Sequence, residues 1–151
     1  MSETRKNSIM NKLGIYVHIP FCQKKCKYCD FISFSCDDKK IHEYFNSLEK
    51  EIDNCKINEE VSTIYIGGGT PSFVNSQYIV NIMNLIQKKF KIKDDAEMTI
   101  EVNPGTIDKE KVLDYKKIGI NRISIGLQTY SDRLLKLVRK DSQLWRFFKY
   151  I

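Results

Sequence analysis

The sequence predicts an α/β fold built from parallel βα units, and three observations carry this. β-rich runs alternate with stretches whose apolar residues recur at helical spacing, four times in succession. Gly- and Pro-containing segments follow several of the runs, where a strand hands over to its crossover. The chain of 151 residues, 42% hydrophobic and 29% charged, is long enough for one domain with its own core. Parallel strands joined by helices cross over right-handedly. Four such units make half of an eight-unit barrel, or most of a small open α/β sheet.

The first strand is expected over Gly14 to Pro20 (GIYVHIP), with a helix-averse proline at its end. A cysteine-rich loop follows. Ile41, Tyr44, Phe45, Leu48, Ile52 and Cys55 then recur at i, i+3, i+4, i+7, i+11 and i+14, an amphipathic helix. Val61 to Ile66 is a β-rich run leading straight into Gly67-Gly68-Gly69-Thr70-Pro71. Ser76 stands as N-cap of a second helix, with Ile79, Ile82, Met83, Ile86 and Phe90 on one side. Met98 to Val102 reads as the third strand, closed by Asn103-Pro104-Gly105. A third helix is expected from about Asp108 to Ile118, ended by Gly119. Arg122 to Leu127 (RISIGL) is the fourth strand, and Ser131 caps a fourth helix containing Leu134, Leu135 and Val138. A barrel cut after four units leaves its first and fourth strands as open edges. Ile64, Ile66, Ile100, Ile123 and Ile125 are then expected on an apolar interior with no opposing half.

Composition narrows the function classes. No run approaches the ~18 apolar residues of a membrane span. Met1 to Lys12 is polar and lacks the apolar block of a secretory signal, so residues 1–13 read as a disordered leader to a cytoplasmic domain. The net charge of +6 rests on 25 Lys and Arg scattered through helical segments, with no basic block interleaved with aromatics. They read as solvated helix faces, and nucleic acid is not an expected partner. Five cysteines, three of them within eight residues, point to metal or redox chemistry over structural disulfides.

Cys22, Cys26 and Cys29 have the spacing C-x3-C-x2-C. Thiolates are the ligands iron–sulfur clusters prefer, and a compact loop wraps three corners of a cubane. Three ligands leave one iron open to a small chelating ligand. Two other readings stand beside this. A closed zinc site needs four ligands, the fourth drawn from His18, Asp30 or Cys36, although the spacing lacks a matched second ligand pair. A redox dithiol of Cys26 and Cys29 would have to tolerate a third thiol beside it. Lys24, Lys25 and Lys27 either soften a cluster's negative charge and dock an acidic electron donor, or are simply solvated.

Tyr16-Val17-His18-Ile19-Pro20-Phe21-Cys22, with Cys26, Tyr28 and Cys29, resembles the radical S-adenosylmethionine superfamily. Within it the chain resembles the oxygen-independent coproporphyrinogen III oxidase-like group. The resemblance covers about residues 14 to 138 and implies a partial TIM-like barrel, about half of one. It implies that Cys22, Cys26 and Cys29 hold a [4Fe–4S] cluster and that S-adenosylmethionine binds its open iron. By the family pattern, Tyr16, Gly68 and Glu101 contact one S-adenosylmethionine. Tyr28, Gly69, Thr70 and Gln128 line the region of a second molecule in the oxidases. Taken alone, the three-glycine loop is an ordinary tight turn, or a place where backbone approaches a ligand and offers free N–H groups. His18 is the candidate for handling a proton or a tetrapyrrole, and reads equally as a packed, hydrogen-bonded residue. Cys55 continues a helix stripe and reads as core, and Cys36 is unassigned.

Oxidases of the group typically carry another cysteine two residues after the third cluster cysteine. Here that position is Phe31, and Cys29-Asp30-Phe31 resembles the heme chaperone branch. The superfamily's chemistry is one-electron reduction of S-adenosylmethionine, giving a 5′-deoxyadenosyl radical that abstracts hydrogen. In the oxidases the substrate is coproporphyrinogen III. In the chaperone branch heme is bound and delivered to hemoproteins. The resemblance therefore implies the cluster, S-adenosylmethionine and heme as cofactors. It implies a tetrapyrrole, an electron donor protein and a hemoprotein recipient as partners. Family members are much longer and continue with a Gly-Arg-x-His element, where this chain has Leu137-Val138-Arg139-Lys140-Asp141. Residues 139–151 form an unmatched tail. It reads as the end of a truncated or frameshifted frame, or as an amphipathic cover carrying Leu144, Phe147, Phe148 and Ile151. Three classes stand: a truncated heme chaperone, an oxidase of tetrapyrrole synthesis, and an inactive fragment with a structural metal site.

Overall fold

The computed structural model describes residues 13–35 and 37–137. Expectations placed on the leader before Leu13, on Cys36, on Val138 and on the 139–151 tail lie outside those residues. Four strands alternate with helices: β1 (Leu13–Ile19), α1 (Asp38–Asn54), β2 (Val61–Gly68), α2 (Ser76–Lys89), β3 (Ile92–Val102), α3 (Lys109–Lys117), β4 (Arg122–Ile125) and α4 (Asp132–Leu137). A 3₁₀ turn at Pro71–Phe73 follows β2.

All neighbouring strands pair in parallel, in the order β1-β2-β3-β4. Spatial order equals chain order, so right-handed crossovers put successive helices on one face. A doubly wound sheet would reverse direction at a switch point. The singly wound order is that of a barrel wall, and the partial barrel is what the described residues form.

The register sorts side chains cleanly. Ile15 pairs with Ile64, Val17 with Ile66, Ile66 with Ile100, and Val102 with Ile125. Strand positions alternate between faces, so these residues share one side. There β1, β2 and β3 pack with Ile41 and Phe45 of α1 and Ile79, Ile82, Met83 and Ile86 of α2 in a single core. The alternate positions carry Tyr16, His18, Tyr65, Glu97, Thr99, Glu101, Arg122 and Ser124, so the inner face is polar. This corrects the expected apolar interior. Ile64, Ile66 and Ile100 lie under the helices at 1%, 0% and 0% exposure, whereas Ile123 and Ile125 on the edge strand keep 37% and 40%.

Element ends follow capping chemistry. Asp37 and Asp108 accept from the backbone N–H of Lys40 and Lys111, each at 2.9 Å. Asn75, not Ser76, caps α2 by accepting from Gln77 N–H, and the Ser76 hydroxyl instead donates to Asp114 of α3 at 2.8 Å. Gly119 ends α3 at φ +86, a conformation glycine adopts without penalty. β3 starts at Ile92 rather than Met98, because its charged first half pairs with Val61 and is clasped by Asn121. That side chain accepts from Met98 N–H and donates to Ala96 C=O, both at 2.9 Å.

The loops leaving β2 and β3 are locked together. Ser72 and Thr106 hydroxyls meet at 2.5 Å, and Asn103 N–H donates to Ser72 Oγ at 3.0 Å. Lys111 of α3 reaches in and donates to the carbonyls of Ser72, Val74 and Thr106 at 2.6, 3.0 and 3.1 Å. Burial pulls its pKa down, opposed by the charge of Asp108. Lys111→Met removes the donor and strands three carbonyls. It should cost about 1–3 kcal/mol of stability, read as a lower midpoint in urea unfolding, whereas exposed Lys109→Met should not. Among the described residues β1 and β4 are each paired with one strand only, and β4 adds exposed Ile123 and Ile125. The 151-residue chain on its own should therefore self-associate. Elution as a monomer in size-exclusion chromatography would show that both edges are covered.

Candidate cluster and cofactor cleft

The cysteine loop is closed at its base by backbone pairing. Pro20 follows β1, and the returning chain lies parallel to it. Phe34 N–H donates to Pro20 C=O at 2.9 Å and Cys22 N–H to Phe34 C=O at 3.1 Å. The rings of Phe21 and Phe34 pack edge to face at 5.6 Å, and Phe21 meets Tyr44 of α1 at 5.1 Å. Within the loop, Cys29 N–H donates to Cys26 C=O at 3.2 Å. His18 braces the far side. Its Nε2 lies 3.1 Å from Ile32 C=O, which only accepts, so Nε2 carries the proton. Nδ1 is then the acceptor for the Tyr16 hydroxyl at 3.0 Å. With both nitrogens engaged, His18 has no lone pair left to serve as a fourth zinc ligand in this arrangement.

The glycine run of β2 packs against this loop. Gly69 N–H donates to Ile19 C=O and Thr70 N–H to Phe21 C=O, both at 2.8 Å. A Cβ on Gly69 would sit 2.8 Å from Phe21 C=O and 3.0 Å from Cys22 Sγ. Gly68 holds φ +115, and a Cβ there would strike the His18 ring at 2.8 Å. Glycine is required at both positions for the loops to touch. Thr70 Oγ1 is thereby brought to 3.4 Å from Cys22 Sγ. The N–H groups of Gly68, Gly69 and Thr70 are all engaged within the protein, contrary to the expectation that this loop offers free donors.

Glu101, near the end of β3, is held by two donors. Tyr65 O–H donates to Oε1 at 2.7 Å and Gly68 N–H to Oε2 at 3.1 Å. The hydrogen bond to Glu101 pushes the Tyr65 pKa up, burial adding to it. Tyr16 stacks on Tyr65 at 6.1 Å, and burial, then the Glu101 charge, raises its pKa. Tyr28 is pushed up to about 12, first by burial and then by the charges of Cys26 and Cys29. Gln128, beyond β4, holds φ +73, uncommon for a residue with a side chain and typical of functional turns.

A cleft of about 380 Å³ gathers most of the expected site residues: Cys22, Cys26, Cys29, Tyr28, Gly68, Gly69, Thr70, Glu101 and Gln128. Tyr16 and His18 are not on its wall but stand behind it on the inner sheet face. Ser33, Asn103, Thr106 and Ser124 also line it, and sequence reasoning missed them. Tyr65 was missed as well, though its alternation with Gly67 and Thr63 puts it on the inner face. Among the described residues no three His, Cys, Asp or Glu side chains gather as ligands of one ion. The three thiols are unpaired and line one concave wall, Cys22 buried and the others half-buried. A cubane spreads its thiolates over separate corners, and this donor set fits that group better than a single ion.

The chain matches the radical SAM superfamily over residues 16–149. It is 43% identical over 133 residues to the heme chaperone HemW of Buchnera aphidicola from Schizaphis graminum, covering 85% of this chain and 35% of that protein. It is 40% identical over 128 residues to HemW of Escherichia coli, covering 82% and 34%. To the oxygen-independent coproporphyrinogen III oxidase of Salmonella typhimurium it is 36% identical over 134 residues, covering 85% and 29%. The solved structure of Escherichia coli coproporphyrinogen III oxidase (HemN), a radical SAM enzyme, superposes with a TM-score of 0.85 at 32% identity, over 91% of this chain and 33% of that one. The chain thus spans about a third of the length of these relatives. The cysteine loop, the glycine run and the barrel order agree with the match: the chain belongs to the radical S-adenosylmethionine superfamily, and the relatives it resembles there are heme chaperones and coproporphyrinogen III oxidases.

Proposed function

We propose that the chain binds a [4Fe–4S] cluster and S-adenosylmethionine and serves a heme chaperone, with residues 14–138 as the partial barrel that carries both. The observation that supports this most is the convergence of three unpaired thiols, the glycine run and Glu101 on one cleft. Cys22, Cys26 and Cys29 would hold the cluster, and Gly68 and Glu101 the cofactor; Tyr16, off the cleft wall, stacks on the Tyr65 that holds Glu101. When bound, a cluster with one open iron supplies the electron that splits a C–S bond of S-adenosylmethionine. The chain's own residues orient and shield. Glu101, prealigned by Tyr65 and Gly68, is an acceptor for the cofactor's ammonium. With their N–H groups engaged, Gly68 and Gly69 are left with carbonyls as further acceptors. Tyr28, Gly69, Thr70 and Gln128 line the same cleft and would serve a second cofactor molecule. His18, through Nε2–H on Ile32 C=O, holds the exit of the cysteine loop, while its Nδ1 accepts from the Tyr16 hydroxyl.

The heme reading rests on Phe31. Where the oxidases carry a thiol, this chain presents a ring 70% exposed at the cleft rim, beside Tyr28 and near Ile32 at 77%. An exposed apolar rim suits the flat face of a tetrapyrrole rather than sulfur chemistry. An electron donor protein and a hemoprotein recipient are the partners this function requires. Lys24, Lys25 and Lys27 on the loop give an acidic donor a complementary surface. Among the described residues no helix is long and apolar enough to cross a membrane. Unpaired thiols suit the reducing cytoplasm. The second reading is an oxidase-type enzyme acting on coproporphyrinogen III, supported by the HemN-like superposition.

Anaerobic reconstitution should load about four irons and four sulfides per chain, the cubane stoichiometry. Cys26→Ala should abolish the cluster spectrum, whereas Cys55→Ala, at the end of α1, should keep it. Full cluster retention in Cys26→Ala would overturn the ligand assignment. Titration with heme should give a saturable Soret shift without coproporphyrinogen III decarboxylation. Phe31→Ala should weaken heme binding, and robust decarboxylation by the chain would decide for the oxidase instead.

A further inference from the structure

Ser33 is a buried polar residue in the cleft wall with nothing to bond. It is 8% exposed, and its Oγ has no hydrogen-bond partner among the described residues. A buried hydroxyl without a partner is costly, so such a group in a binding cleft marks a missing acceptor or donor. Its neighbours say on which side the partner lies. Phe34 pairs alongside Phe21, and the two rings pack together on one side of that short parallel pair. Side chains alternate along paired extended chain, so Ser33 and Cys22 fall on the opposite side. Both line the same cleft, as do Cys26 and Cys29. The backbone at Ser33 is fixed on both flanks. Ile32 C=O is held by His18, and Phe34 is bonded through both its N–H and its C=O. The backbone that carries the hydroxyl is thus held in place by the loop.

We propose that Ser33 Oγ–H donates a hydrogen bond to a sulfide of the bound cluster and so sets the cluster's reduction potential. The inference rests on the cluster reading above and assigns a positioning residue outside the cysteine triplet. Hydrogen bonds to the sulfurs stabilise the more negative, reduced cluster and raise its potential. Thr70 Oγ1, 3.4 Å from Cys22 Sγ, is another hydroxyl of the cleft wall, and it already has a sulfur partner where Ser33 has none.

The test is an EPR-monitored redox titration of the anaerobically reconstituted 151-residue chain without S-adenosylmethionine. Ser33→Ala and Ser33→Val should lower the midpoint potential. Ser33→Thr, which matches Val in size and keeps the hydroxyl, should stay at the wild-type value. Two hydroxyl-free variants of different size separate a lost hydrogen bond from a packing defect. Equal potentials for the Val and Thr variants would overturn the inference. So would unchanged potentials combined with weakened S-adenosylmethionine binding, since the hydroxyl would then serve the cofactor. If the wild-type chain takes up no cluster, the cluster reading itself fails. A loaded wild type with insensitive variants removes only the role of Ser33.

Discussion

The site depends on a backbone ladder that runs past the end of the β1–β2 pair. After the strands stop exchanging regular bonds, Gly69 N–H still reaches Ile19 C=O and Thr70 N–H reaches Phe21 C=O. On the other side, Phe34 closes onto Pro20 and Cys22. The peptide around Phe21 is therefore gripped from both sides, with its ring pressed between Phe34 and Tyr44. Cys22 is the first residue beyond that grip, and its position is set by main-chain bonds rather than by its own side chain. This explains the glycines without reference to any ligand. A methyl at Gly69 would occupy the place of Phe21 C=O and Cys22 Sγ, and would push the cysteine loop off the sheet.

The polar inner face follows from the same register. Because His18 pairs with Gly67 and Tyr16 with Tyr65, the residues that brace the loop and those that hold Glu101 are neighbours on one surface. The chain Ile32 C=O, His18, Tyr16 and the stack Tyr16–Tyr65–Glu101 link the loop exit to the carboxylate in the cleft. A buried apolar face under the helices supplies the stability that lets the opposite face carry unpacked polar groups. Arg122 bonding Glu97 and Thr99 across β3 and β4 is of the same kind.

The strand–helix alternation and the cysteine spacing were legible because each rests on local pattern: period-2 and period-3.6 hydrophobicity, and thiols within one loop. What was not legible needed tertiary partners. Asn75 outcompetes Ser76 as a cap because Ser76 has Asp114 of another helix to bond. The first half of β3 is charged and reads as a loop, but Asn121 and Val61 hold it extended. The isoleucines expected on the inner face were assigned to the wrong side because a strand's hydrophobic set does not declare which face the helices will cover. Lys111 looks like one more solvated lysine among 25 basic residues, and only the fold reveals the three carbonyls it serves. Ser33 carries no sequence signal at all, since an orphan hydroxyl is defined by what surrounds it.

The pattern of satisfied donors narrows the chemistry of the cleft. With the N–H groups of Gly68, Gly69 and Thr70 already spent on Glu101, Ile19 and Phe21, this wall presents a carboxylate and hydroxyls rather than free backbone donors. Such a wall favours a cationic or donor-rich group over an anion. The site thus differs from glycine loops that cradle phosphates, which need those N–H groups free. A sulfonium carrying an ammonium is a ligand of the required charge. The glycine run in this fold is a device for bringing two loops into contact, and that contact sets the Glu101 carboxylate in the cleft wall beside the thiols.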